Sequence, residues 1–189
     1  MTVAYPIILS TERLTLRPFT AGDAPRVLEI DSNWNVMRMQ REAEFPATAH
    51  SVQSWLANHE PDWRAGTAYR FAIWTDGRLI GCCDTDCIEA GVGDFGYWLD
   101  EAAWGRGYAT EAARAVLDFA FGPVGLAALN SGCAHDNPAS ARILEKLGFH
   151  HIGNQLMWSN PRGEMLDHRR YRLDRADVDN RLRADDEFS

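Results

Sequence analysis

The sequence predicts a mixed α/β (α+β) fold in one domain, and three stretches carry that prediction. Gly93 to Phe121 has the pattern of a strand, a glycine turn and an amphipathic helix. Asp76-Gly77 lies between two β-prone runs, the signature of a hairpin whose tight turn requires positive φ. Asn137-Pro138 opens another helix, because Asn is a preferred N-cap and Pro suits the first helical position. Two further strand-like runs follow it.

Taken in order, Leu14 and Leu16 alternate with Arg13, Thr15 and Arg17 in a half-buried first strand that Pro18 ends. Thr20-Ala21-Gly22-Asp23 has the form of a capping box and opens a helix to about Ile30. Positions 31–46 lack periodicity and predict a loop or irregular helix. Val52, Trp55 and Leu56 mark a short second helix after Thr48. Tyr69, Phe71 and Ile73 alternate with Arg70, Ala72 and Trp74 in the second strand, and its return partner runs from Leu79 to about Thr85. After a loop over 89–93, Phe95, Tyr97 and Leu99 alternate with Gly96 and Trp98 in the fourth strand. Trp104-Gly105-Arg106-Gly107-Tyr108 turns the chain. Ala109, Ala112, Ala113, Val116, Leu117 and Ala120 then fall on one apolar helical face. Gly122-Pro123 stops that helix, and Leu126 to about His135 forms the fifth strand. Ile143, Leu144 and Leu147 give the next helix its buried face, and Gly148 ends it. Phe149–Trp158 and Leu166–Leu173 are the last strands. Positions 174–189 are nearly all charged and predict a frayed helix or loose tail after a core of about 9–173.

The 189 residues suffice for a substantial core, and 46% hydrophobic content with seven tryptophans indicates a globular chain. No apolar run approaches a membrane span, and MTVAYPIILS lacks the basic start and apolar centre of a secretion signal, so a cytoplasmic location is expected. Cys82, Cys83, Cys87 and Cys133 show no CxxC spacing and no accompanying histidine cluster. They are expected to be reduced core thiols rather than a metal site. A net charge of −8 argues against nucleic acid and anionic lipid as partners. It suits a cationic amine or basic peptide, and equally a plain solvated surface. A monomer or homodimer fits either reading.

A strand feeding a glycine turn that opens a helix leaves backbone N–H groups aimed at one point, where the helix dipole favours a phosphate. The bland alternative is a turn that only packs helix on strand. Gly107-Tyr108-Ala109-Thr110 lacks the lysine of a Walker loop, and the sixth place counted from Gly105 is Thr110, so the dinucleotide fingerprint fails too. The stretch resembles instead the acetyl-CoA signature of the GNAT superfamily of N-acetyltransferases, with Gly107 and Ala109 at its small positions and Trp104 where Gln or Arg is usual. The wording GYW, WGRGYATEA and TERLTLRPF is similar to the ribosomal-protein N-terminal acetyltransferase (Rim) branch. A second signature of that branch, NxxS…EKxGF, is matched by Asn137, Ser140, Glu145, Lys146, Gly148 and Phe149.

The resemblance implies a twisted, mostly antiparallel sheet with helices on both faces, splayed between strands four and five to admit acetyl-CoA. It implies acetyl transfer to a primary amine, a protein or peptide N-terminus first. An aminoglycoside or polyamine acetylase and a non-catalytic acyl-CoA-binding module are the rivals. Backbone groups at Tyr97, Trp98 and Leu99 would polarise the thioester carbonyl, and Gly105, Arg106, Gly107, Tyr108, Ala109 and Thr110 would grip the pyrophosphate. Asn137 would cap its helix and bind the pantetheine arm. Many family members place a tyrosine seven residues after this Asn, where Leu144 stands here; Ser140 then becomes the candidate acid for the leaving thiolate, with water as the alternative. Asp94 heads the candidate bases, with Asp84, Glu164 and His135 beside it. An α-amine with pKa near 7.8 is about 15% neutral at pH 7 and a lysine about 0.04%, so a weak base suits an N-terminal acceptor.

Overall fold

The computed structural model describes residues 3–179. Eight strands form one sheet: β1 (Leu9–Ser10), β2 (Thr15–Pro18), β3 (Tyr69–Thr75), β4 (Arg78–Glu89), β5 (Val92–Leu99), β6 (Ala128–Ala134), β7 (His150–Ser159) and β8 (Glu164–Asp174). Their spatial order is β1-β2-β3-β4-β5-β6-β8-β7. Every neighbouring pair is antiparallel except β5 with β6. That parallel pair holds together only from Val92–Asp94 against Ala128–Asn130 and then parts. At the point of parting the Ser131 hydroxyl donates to the Phe95 carbonyl at 2.9 Å, satisfying a group the ladder has abandoned. The expected splay is therefore present. It lies between β5 and β6, because Leu9–Ser10 adds a short strand that the sequence reading had merged with the next.

Six helices flank the sheet: α1 (Ala24–Asp31), α2 (Trp34–Met37), α3 (Ala49–Ala57), α4 (His59–Ala65), α5 (Tyr108–Phe119) and α6 (Pro138–Leu147). The predicted box at Thr20 forms, with the Thr20 N–H donating to Asp23 Oδ2 at 2.7 Å, and Arg17 grips the same carboxylate in bidentate fashion. Asp76 and Gly77 both take positive φ, as the hairpin requires. One face of the sheet carries α5 and α6 over Phe95, Leu129 and Tyr171. The other carries α1, α2 and α3 over Phe19, Val27, Ala72 and Cys82.

Three expectations are corrected. Positions 89–93 are not a loop but a tight turn at Ala90-Gly91, both at positive φ. Gly122-Pro123 does not stop α5; the chain runs on through a π-helical turn, Ala120–Val124, and ends at Gly125 with φ 80°. Pro123 lies inside that closing turn. Helix α4 was not foreseen. Of the expected tail, residues 175–179 are helical and 180–189 lie outside the described residues.

Helix α4 also holds a buried titratable group. His59 is 5% exposed, packs edge-on against Phe19 and Trp55, and neither ring nitrogen has a partner among the described residues. Burial, then the nearby Arg70 charge, drives its pKa from 6.5 to about 3. A folded pKa below the unfolded one means stability present above 6.5 and lost as pH falls toward 3. Asp31 and Asp84, raised to about 7 and about 6 chiefly by burial, act in the opposite sense. The His59 contribution is therefore isolated by comparing wild type with His59→Phe. Relative to the variant, wild type is expected to lose about 2 kcal/mol of urea-unfolding free energy between pH 7 and pH 5. Parallel pH curves for the two proteins would refute it.

Candidate active site

The parted strands open into a cavity of about 910 Å³ that passes between the two faces of the sheet. Its cofactor-side wall is the turn before α5. Gly107, at φ 82°, is the N-cap, and no side chain caps the helix. The amides of Tyr108, Ala109 and Thr110 thus have no intrahelical acceptor, and these residues line the cavity with Gly105 and Gly107. Unpaired N–H groups at the positive end of a helix dipole suit an anion. Arg106 is exposed and lies outside the cavity wall. Its carbonyl accepts from Arg13 at 2.9 Å, and Arg13 also pairs with Glu111 and lies over the Tyr108 ring at 4.7 Å. Arg13, which the sequence reading placed only in a strand, is the buttress of this turn.

Strand β5 supplies the next layer. The Asp100 N–H bonds Ile80 on the β4 side, and strand alternation puts the Trp98 and Gly96 backbone groups on that side too. The N–H groups of Tyr97 and Leu99 therefore face the gap. Trp98 contributes wall instead: its indole turns to the other face, 6.3 Å from Trp55. The Leu99 carbonyl accepts from Trp104 Nε1 at 2.9 Å, which gives the unusual Trp104 a structural reason.

From α6, Asn137 accepts the Ser140 N–H at 3.1 Å, so Asn137 does cap its helix, and both residues line the cavity. Ser140 Oγ is 2.9 Å from the Tyr97 hydroxyl. Burial raises the Tyr97 pKa, so the phenol stays protonated, and either hydroxyl can donate to the other. Leu144 is fully buried in the core. A tyrosine hydroxyl is thus present in the site, but it comes from β5. No local pattern links positions 97 and 140, so only the fold reveals the pair.

Of the candidate bases, Asp94 is exposed on the cavity wall, where β5 and β6 are still paired. It stands five residues from Leu99, about 17 Å along the strand. Asp84 lies one strand over, opposite Gly96. Glu164 and His135 do not line the cavity, whereas the buried His168, which sequence reasoning passed over, does. Among the described residues no group of His, Cys, Asp or Glu is arranged to hold a metal, and no helix is long and apolar enough to cross a membrane.

An uncapped helix start, a parted parallel pair whose N–H groups face the gap and a half-buried hydroxyl pair suit acyl transfer between two substrates. Residues 13–150 match the family described as "Acetyltransferase (GNAT) domain", and the chain belongs to that family. It is 31% identical over 155 residues to the probable N-acetyltransferase YjcK of Bacillus subtilis, covering 77% of this chain and 85% of the relative. The fold is shared with RimL, a ribosomal alpha-N-protein acetyltransferase solved with coenzyme A (TM-score 0.81, 18% identity, 89% and 98% of the two chains). It is also shared with RimJ of Mycobacterium smegmatis (0.79, 22%, 90% and 88%). The protein is an N-acetyltransferase of the GNAT type.

Proposed function

We propose that the enzyme transfers the acetyl group of acetyl-CoA to the α-amine of a peptide or protein N-terminus. The observation that carries this reading is the Tyr97–Ser140 pair beside free β5 amides, within reach of an uncapped α5. Acetyl-CoA supplies an activated acetyl thioester. The chain's residues suit it: the Gly105–Thr110 turn for the pyrophosphate, with the exposed Arg106 guanidinium beside it, and the Asn137 amide for the pantetheine arm. The Leu99 N–H, with that of Tyr97, would hold the carbonyl oxygen, as preorganised donors do in acyl transfer. Ser140 would give its proton to the departing sulfur.

The acceptor enters from the face of α1 and α2, where Glu42, Asp86 and Asp94 line the cavity. Asp86 is paired with Arg70 and Glu42 with Arg41, while Asp94 has no ion pair among the described residues. We assign Asp94 to this cationic docking wall, with proton transfer through water as its catalytic option. Peptides with a free N-terminus and basic residues downstream are expected to exceed Nα-blocked lysine peptides in kcat/KM at pH 7 by on the order of 10²-fold, from the neutral fractions of the two amines. Added salt is expected to raise their KM. Superior turnover of blocked lysine peptides would sink the N-terminal assignment. Inert peptides with active aminoglycosides or polyamines would replace it by a small-molecule role.

A further inference from the structure

The two edges of the sheet are built differently. At one end β1 is two residues long, too short to take on a further strand. At the other end β7 runs for ten residues, about 33 Å, and among the described residues β8 alone pairs with it. Its sequence, HHIGNQLMWS, holds no Asp, Glu, Lys, Arg or Pro, in a chain that is 24% charged. Charges and prolines are the usual means of keeping an exposed edge from pairing. A bulge interrupts β7 between His151 and Gly153, and from Gly153 to Ser159 it stays in unbroken register with β8.

Apolar surface follows the same strand. Seven large apolar side chains stand exposed among the described residues, and four of them, Ile152, Leu156, Trp158 and Met165, belong to the β7–β8 ribbon. Each is more than half exposed. Trp158 lies directly opposite Met165, and Leu156 is two residues back on the same face. Together the four expose on the order of 400 Å², the scale at which an apolar patch marks an interaction site.

We infer that β7 is a dimer interface, at which two copies of the chain pair β7 against β7, antiparallel, about a two-fold axis. The two sheets then become one continuous sheet. A second copy fits this edge because a two-fold brings identical strands together antiparallel, and each unpaired backbone group meets its equivalent. It also fits by charge. The chain's net charge of −8 repels a second copy in general, whereas β7 is a run along which no like charges meet. With the axis near Leu156, that residue and Trp158 come beside their counterparts on one face. The apolar side chains supply about half of the ~800 Å² per partner that a stable interface buries, and the edge backbone and polar side chains between them add to it.

The same strand forms a wall on the acceptor side. Met157 lines the cavity, as does Arg170, which donates to Gln155 at 2.9 Å and reaches Met157 Sδ at 3.9 Å. The turn after β7 carries Asn160, whose N–H bonds the Arg41 carbonyl at 2.9 Å. Pairing on both sides of β7 braces this wall, whereas pairing with β8 alone leaves it dependent on the stability of an edge.

Sedimentation velocity of the intact protein, from about 1 to 100 µM, is expected to show a species of twice the 21.2 kDa chain mass and nothing larger. Leu156→Lys sets like charges side by side at the axis and is expected to weaken association at least about 100-fold with circular dichroism unchanged. Trp158→Ala, which adds no charge, is expected to weaken it about tenfold. Amide hydrogen exchange needs no variant: the β7 amides that face away from β8, and that of Asn160, should exchange slowly in concentrated wild type and faster on dilution. A wild type that stays monomeric across the range, or a dimer that both variants leave intact, overturns β7 as the interface. Assemblies that grow with concentration overturn the closed two-fold. A dimer whose β7 amides exchange alike at both concentrations overturns strand pairing, and an unresponsive Asn160 amide overturns the bracing of the wall.

Discussion

Gly107→Val is expected to weaken acetyl-CoA binding about 100-fold in a protein that still folds. At φ 82° a β-branched residue is strained, at a cost of roughly 1–3 kcal/mol. The only heavy atom near the new Cβ is the Arg13 Nη2, at 3.3 Å, the far end of a flexible side chain. The fold can therefore absorb the change by moving Arg13, but the backbone amides of Tyr108 to Thr110 cannot keep their aim. Branched methyls would also stand where a phosphate must approach. A 100-fold loss corresponds to about 2.7 kcal/mol. Titration calorimetry with acetyl-CoA, run beside a melting curve, decides the matter; unchanged affinity in a folded variant would remove the anion-binding role of this turn.

Ser140→Ala is expected to reduce kcat by about 10²–10³ while acetyl-CoA affinity stays within twofold, since the proton matters as the thiolate leaves. Tyr97→Phe should cost less, because the serine keeps its own hydroxyl and loses only a hydrogen-bond partner. The double variant is then expected to match Ser140→Ala rather than the product of the two losses, as groups acting in one relay are not additive. If Ser140→Ala loses under threefold, water protonates the sulfur. Fully multiplicative losses would instead show that the two hydroxyls act separately.

The elements that could be seen in the sequence are those set by neighbours in the chain. Asp76-Gly77 declares its hairpin through the backbone, and the box at Thr20 and Asp23 spans three residues. The α5 stripe from Ala112 to Ala120 is buried as its period predicts. The helix over 59–65 was hidden because HEPDWRA carries one large apolar residue, Trp63, and a proline in its first turn. The extension of α5 past Gly122 was hidden because a π-helical turn has no composition of its own. The site divides in the same way. Its glycine turn and the Asn137 cap were legible as local motifs. The Tyr97–Ser140 contact and the Arg13 buttress join positions 43 to 98 residues apart. Only the tertiary fold brings them together.

Across the acceptor entrance, segments from three parts of the chain are fastened to one another. Arg162 grips Asp136 with both guanidinium ends at 2.9 and 3.0 Å and donates to the Arg38 carbonyl, while Arg38 pairs with Asp136 as well. Asn160 adds bonds to the carbonyls of Arg41 and Glu42. The Arg162 hydrogen bonds hold the Asp136 carboxyl below the usual carboxylate range, so mild acid does not undo the fastening. An acceptor entering on that side would meet a ring rather than a trench. A ring fixes girth, whatever the length of what passes through it. An amine on a slender, extended stalk could be threaded to the gap between β5 and β6, whereas one set flush in a folded surface would be stopped at the rim. The residue after Asp136 is the cap of the helix that bears Ser140. Any acceptor wide enough to stretch the ring would therefore pull on Ser140, the proposed acid.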